Sequence, residues 1–326
     1  MNNDQPETSV PTTPVPPDHP SNRSSKWFRN TTIVVLSSIL IGCLLVFVVQ
    51  PLLQEQAADV DGPNLSTNTD DGSNRGSLTD ELFQTPVSEP EHPLDLALGV
   101  AGKGLDRIRS QVQDYTALMV KQERIDGKLL PEEFMRVKVR HGNTEKGIDK
   151  AFYVRHVKPK ELAGQEAIWC ANQNDGKLIA HGAGLQKFFQ VNLEPTSWIA
   201  MRNNRYPITE LGIENLIVRM LEKGKRDRGL GDCQVEYSRD IEFDGNPCTL
   251  ITMTHPEKLD KFEFYIVKIY IDDKLQLPVG YEGYVWPDKP GGPPVLLERY
   301  FYRELKINVG LQPIDFDPAN PDYDYP

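Results

Sequence analysis

Hydrophobic positions change period near residue 113. PLDLALGVAGKGLDRIRSQV places Leu94, Leu96, Leu98, Val100, Leu105, Ile108 and Val112 at spacings that suit a helix, with a break expected at Gly102–Gly104. After it the period falls to two. In FMRVKVRH, Met135, Val137 and Val139 alternate with Arg136, Lys138 and Arg140, which sends one set to each face of a pleated strand. AFYVRHV, EAIWCANQ, KFFQVNL, QVEYSRDIEF, CTLITMTH, FEFYIVKIYI, LPVGYEGYVW and LLERYFYRELKI follow in the same manner. Asp-Gly pairs at Asp126-Gly127, Asp175-Gly176 and Asp244-Gly245 supply the positive φ that tight hairpins need. About ten strands joined by short turns predict a large antiparallel sheet.

A second helix interrupts the strands. YPITELGIENLIVRMLEKGKRDRG starts with Pro207 in its first turn and Glu210 near the positive end. It has an apolar face of Ile208, Leu211, Leu216, Ile217, Met220 and Leu221, and closes with Lys223, Lys225 and Arg226. Gly212 is a weak point inside it. Several strands, FEFYIVKIYI above all, are apolar on both faces. A flat sheet with one wet face does not need that. The expected fold is therefore α+β: a large curved antiparallel sheet wrapped around helices, whose concave face holds apolar surface that a single helix does not fully cover.

Upstream the pattern is different. Thr31 to Val49 is a 19-residue run without a charge, long enough to cross a bilayer as a helix. Within it Leu40-Ile41-Gly42-Cys43 has the form of a lipoprotein signal. Cleavage before Cys43 would leave LLVFVV at the new terminus, and the polar leader of about 30 residues is long for a signal. We read an uncleaved spanning helix, with a lipidated Cys43 as the alternative. Arg23, Lys26 and Arg29 precede the run and the first basic residue after it is Arg75, so the positive-inside rule puts the N-terminus in the cytoplasm and the remainder outside. The expected domains are a disordered tail (1–30), a transmembrane helix (31–50), a disordered acidic linker (51–93) and the α+β domain (94–326), giving a single-pass protein of the inner (cytoplasmic) membrane.

Charge sharpens this division. The 326 residues carry a net charge of -11. Pro51 to Asp95 holds ten acidic residues against Arg75 alone, so the acidity belongs to the linker and not to a binding surface. No concentrated basic face suggests nucleic acid. Cys43, Cys170, Cys233 and Cys248 form no Cys-x-x-Cys pair, which gives a zinc or thiol-redox site no footing. There is no Gly-x-Ser-x-Gly elbow, and GVAGKGLDR lacks the spacing and the Ser or Thr of a phosphate loop. His141, His156, His181 and His255 have no zinc spacing, and Asp315, Asp317, Asp322 and Asp324 do not match a calcium loop. Nothing in the sequence brings two carboxylates to one site. No cofactor, no metal and no catalysis is expected.

The stretches DYTALMVKQERIDGKLLPEEFMRVKVRH, YPITELGIENL and DFDPANPDYDY resemble an uncharacterised bacterial domain family that is itself similar to the lipoprotein-carrier superfamily of LolA and LolB. The likeness spans about Leu105 to Tyr325. It implies a half β-barrel whose apolar concave face receives acyl chains. A membrane helix departs from the soluble carriers and favours a fixed acceptor, donor or sensor. Met119, Val137, Trp169, Phe189, Met220 and Tyr284 are the candidates for lining such a cavity, with Phe188, Trp198 and Trp286 as further aromatics. The expected function is a membrane-tethered, extracytoplasmic, non-catalytic binder of an apolar ligand, a lipid or lipoprotein acyl chain. The alternative is an envelope protein-interaction or sensor module with no small ligand, for which the PDKPGGPP loop after Trp286 is a contact candidate.

Overall fold

The computed structural model describes residues 91–326. The expected tail, membrane helix, Cys43 and nearly all of the linker lie outside the described residues. Among the described residues no helix is long and apolar enough to cross a membrane.

Among the described residues two helices, α1 (Leu94–Gln111) and α2 (Ile213–Arg228), accompany twelve strands: β1 (Asp114–Ile125), β2 (Lys128–Leu129), β3 (Glu133–Arg140), β4 (Ala151–Lys158), β5 (Glu166–Cys170), β6 (Leu178–His181), β7 (Val191–Leu193), β8 (Gln234–Phe243), β9 (Asn246–Thr254), β10 (Ile266–Asp272), β11 (Leu277–Val285) and β12 (Val295–Ile307). The spatial order is β7-β6-β5-β4-β3-β1-β12-β11-β10-β9-β8, with β2 paired to β1. Every pairing is antiparallel. The chain steps outward from β1 to β7, crosses by way of α2 to β8, and steps back to close β12 on β1. The expected large antiparallel sheet is present and it is open, with β7 and β8 as its edges.

Register decides what each face carries. Ala117 of β1 stands opposite Val137, Met119 opposite Met135, and Tyr115 opposite Val139. These residues, with Phe152, Tyr281, Tyr300 and Tyr302, pack under Leu94 and Ile108 of α1 and Ile213, Leu216, Ile217 and Leu221 of α2 as one buried cluster. On the opposite face Ala151, Tyr153, Ile168 and Cys170 are covered by Phe316, Leu311, Tyr323 and Tyr325 of the C-terminal tail. Phe243, Tyr270 and Phe301 form a further buried cluster with Val120 and Cys248. The two-sided apolar strands thus find cover on both faces, from helices on one and from tail and aromatic packing on the other. They do not by themselves demand an open cup.

Several local expectations need correction. α1 runs unbroken through Gly102–Gly104. Gly104 is buried and faces Ile217 of α2, where an added Cβ would meet Cδ1 at 3.8 Å, an ordinary contact. The helix expected from Pro207 begins only at Ile213, and Ile208–Glu210 is a separate 3₁₀ turn. Gly212 is the boundary because its φ is +105° and a Cβ there would lie 2.8 Å from the Tyr115 hydroxyl. That hydroxyl accepts the Ile213 N–H at 2.9 Å, satisfying one orphan donor of the helix start from β1. Of KFFQVNL only Val191–Leu193 is strand, because Gly184–Phe188 forms a 3₁₀ turn. The Asp-Gly pairs all adopt positive φ, as hairpin chemistry requires. Cys170, Cys233 and Cys248 are buried free thiols, and burial pushes those of Cys170 and Cys233 up to about 11.

Two outcomes follow for stability. Tyr115→Phe leaves the buried Ile213 N–H without its acceptor, and should lower unfolding free energy by about 1–3 kcal/mol, read as a lower urea midpoint at unchanged slope. Glu214, in the first turn of α2, is held down to about 2 by a hydrogen bond from His141, with Arg109 and Lys150 adding to the effect. A depressed carboxyl stabilises above its unfolded value and loses that contribution as pH falls through the folded one. The difference in urea midpoint between the native chain and Glu214→Gln should therefore be full near neutral pH and vanish towards about pH 2.

Candidate functional site

The face of β1 that turns Tyr115, Ala117 and Met119 to the helices continues with Lys121 and Glu123, both buried. Register sets Lys121 opposite Tyr300, Glu123 opposite Glu298 on β12, and Lys121 opposite Glu133 on β3. An apolar alternation has become a charged one without leaving its face. The Tyr300 hydroxyl donates to Glu123. Arg205 Nε donates to Glu298 at 2.8 Å and the Tyr206 hydroxyl to the same oxygen at 3.1 Å. The Arg205 N–H donates to Glu123 at 3.0 Å. Lys121 Nζ lies 3.3 Å from Glu133 and donates to Asn204 Oδ1, and His156 Nε2 lies 3.1 Å from Glu133.

Electrostatics agree with this pairing. Burial pushes the Tyr300 phenol well above its usual value, and the Glu298 and Glu123 charges push it further. Burial alone would raise Glu133, but the His156 hydrogen bond and the Lys121 charge outweigh it and hold the carboxyl below its ordinary value. Two carboxylates do meet here, contrary to the sequence expectation. Their signal was present: Glu123, Glu298 and Glu133 continue the phase that places Tyr115, Ala117, Met119, Met135, Val137 and Tyr300 in the core.

This network holds down one loop. Asn204 and Arg205 are its anchors, and the preceding turn is closed by Met201 N–H to Ser197 O at 2.8 Å and Ser197 N–H to Glu194 O at 2.9 Å. The turn presents Trp198 and Ile199 to solvent. On the other side of β7, the Gly184–Phe188 turn presents Leu185 and Phe188, with Phe189 next to it. Fractional exposures are 81% for Leu185, 62% for Phe188, 71% for Phe189 and 76% for Trp198. Side chains of this kind cost water contact when exposed, and clusters of them mark interaction sites.

A groove of about 490 Å³ opens beside the first turn, lined by Ala163, Gly164, Gly184, Leu185, Lys187, Phe188 and Asp324. The C-terminal tail builds its far wall. Asp324 meets Arg155 at 2.9 Å, and Arg155 meets the fully buried Glu166 at 3.0 Å. Burial pushes the Glu166 carboxyl up, against the pull of Arg155. Behind it His181 lies 3.7 Å from Glu166 and the Tyr325 ring stands edge-on to His181 at 4.6 Å. A second cleft of about 240 Å³ lies along Arg140, Cys170 and Phe316, below the usual size of a ligand pocket.

The six cavity candidates divide. Met119 and Val137 are buried, and Trp169 and Met220 are partly buried, in the same packed cluster under the helices. Trp169 stacks on Phe152 at 5.6 Å and donates to Gly176 O at 3.0 Å. Tyr284 sits half-buried on β11 opposite Ile266. Phe189 adjoins the groove-lining Phe188 in the sequence. Leu185, Lys187 and Asp324 were missed as site residues, since no periodic pattern marks a loop. Among the described residues no group of three or more His, Cys, Asp or Glu side chains is placed to hold a metal. Asp315 instead meets Lys138 at 2.6 Å.

A sequence model of the family described as protein of unknown function DUF1571 matches residues 112–325. No curated protein matches the chain. Among solved structures, the chain is similar to a DUF1329 family protein from Desulfovibrio piger, at 13% identity, covering 69% of this chain and 98% of that one with a TM-score of 0.32. It is similar to a putative outer membrane lipoprotein-sorting protein domain from Vibrio parahaemolyticus, at 12% identity, 67% and 97% coverage and a TM-score of 0.32. Similarity to the Pseudomonas aeruginosa MucA/MucB complex is 13% in identity, covering 68% of this chain and 60% of that chain with a TM-score of 0.38.

Glu298→Ala removes the shared acceptor of Arg205 and Tyr206. Breaking a buried charge pair in this way costs roughly 3–5 kcal/mol. Hydrogen exchange across residues 197–206 should accelerate in Glu298→Ala more than in Glu298→Gln, which keeps an acceptor oxygen. Equal exchange in both variants and the native chain would contradict the clamp.

Proposed function

We propose, for a chain that belongs to the DUF1571 family, that it is a non-catalytic binding protein tethered to the inner membrane through residues 31–50, with its α+β domain (94–326) outside the cytoplasm. Its ligand is an apolar chain such as the acyl group of a lipid or lipoprotein. The observation that carries this reading is the groove beside the Gly184–Phe188 turn. Its volume of about 490 Å³ falls in the range of ligand pockets. Leu185 and Phe188 offer apolar contact, while Lys187 and Asp324 give polar ends that orient a headgroup. Ligand contact is thus assigned to the edge of the sheet. Met119, Val137, Trp169 and Met220 belong to the packed cluster under the helices, away from the groove lining.

The buried carboxylates favour a structural part over chemistry. Glu123, Glu298 and Glu133 each face a donor of the chain itself, whereas a general base needs a lone pair within reach of substrate. A protein partner is the second reading, and it has its own observation. β7 ends the strand order, and an edge strand offers backbone groups to an added strand.

Lipid mass spectrometry on the domain 91–326, exported to the envelope of its host and purified without detergent, tests the first reading. A stoichiometric acyl species should be extracted, and Leu185→Glu with Phe188→Glu should remove it without loss of folding, because both side chains are exposed. A folded domain that yields no acyl species turns the reading to the protein partner.

A further inference from the structure

We propose that Leu185, Phe188, Phe189, Trp198 and Ile199 form a bilayer-docking face, by which the domain rests on the membrane surface that tethers it. This rests on the tether of the preceding reading and not on the occupancy of the groove.

The chemistry of the face fits an interface more than a dry protein contact. Trp and Phe side chains settle at the headgroup boundary, and Lys or Arg beside them reach anionic headgroups. Lys187 sits within the first turn and Arg202 follows the second; Glu194 is the one acidic residue from 184 to 202, and Asp324, which borders Leu185 and Phe188, is paired with Arg155. The patch is displayed from two short turns at either end of β7, so its apolar side chains enter a boundary layer without burying strand backbone. The second turn is pinned by Arg205 on Glu298, which keeps Trp198 outward. Rigid display matters here because insertion does not then need to order the loop.

The length of chain before the domain argues for the bilayer as occupant. The uncharged run ends at Val49 and the described domain starts at Glu91, leaving 41 residues between, 50–90. The linker expected from the sequence would, as a random chain of that length, span roughly 35 Å. A domain held that close meets the bilayer at high effective concentration, so a face of five apolar side chains suffices where a free protein would dissociate.

Brominated phospholipids read contact directly, because they quench tryptophan at the boundary. The full chain would be reconstituted in vesicles of phosphatidylethanolamine and phosphatidylglycerol with brominated acyl chains. The fluorescence difference between the native chain and Trp198→Phe isolates Trp198. It should fall by about twofold or more relative to unbrominated vesicles. Phe188→Ser with Phe189→Ser should restore it while the chain still floats with vesicles after an alkaline wash. An unquenched Trp198 in a folded, tethered chain overturns the proposal, whether a protein or the acidic segment 51–93 covers the face instead. Should the wash strip the chain, the tether reading falls, and quenching of Trp198 before the wash still decides the docking. Retained quenching alongside an empty groove would separate this face from the acyl-binding reading.

Discussion

The pairing of β1 with β12 is the constraint on which the rest depends. It joins the first strand to the last, Tyr115 to Ile307 and Glu123 to Glu298, and it closes two meanders into one sheet. A slip of one residue would turn every side chain of β1 to the other face. Tyr115 would then leave Ile213, and Glu123 would leave Arg205 and Tyr300. Core, helix start and polar clamp share this single register. The closure spans most of the domain's sequence, so its loop entropy must be offset by the burial that follows it.

Along the paired strands, the face changes character from one end to the other. Near the helices it is Tyr115, Ala117, Met119 and their partners, dry and close-packed. Further along the strands it becomes Lys121, Glu123, Glu133 and Glu298, covered by the loop through Asn204 and Arg205. Burying such charges is costly unless they are paired. Here each finds a partner, and the pairing converts that cost into a specification of where the loop lies. The loop that carries the exposed Trp198 is thus anchored at its far end on buried glutamates.

The C-terminal tail plays the corresponding part on the opposite face. Tyr323 stacks on Tyr153 at 4.0 Å and Lys138 reaches across to Asp315. Asp324, at the end of this tail, then forms one wall of the groove. The same tail thus covers the sheet and borders the groove.

The sequence alone determined what depends on local period and turn chemistry. Alternation marks β3 and β8, and Asp-Gly marks the hairpins, because pleat geometry and positive φ are properties of a few neighbouring residues. The family likeness was likewise legible in the stretches around Tyr115, Ile213 and the tail. The tertiary structure decided the rest. Whether two-sided strands enclose a cavity or are covered from both sides depends on where the tail and helices lie, which no strand encodes. Gly212 reads as a helix defect until the distant Tyr115 hydroxyl, which accepts the N–H of the next residue, Ile213, is seen to require it. Glu123 and Glu298 are ordinary charges in sequence and become a site only when β12 returns to β1. The exposure of Leu185 and Trp198 is decided in the same way, since an apolar side chain is core or surface according to what packs over it.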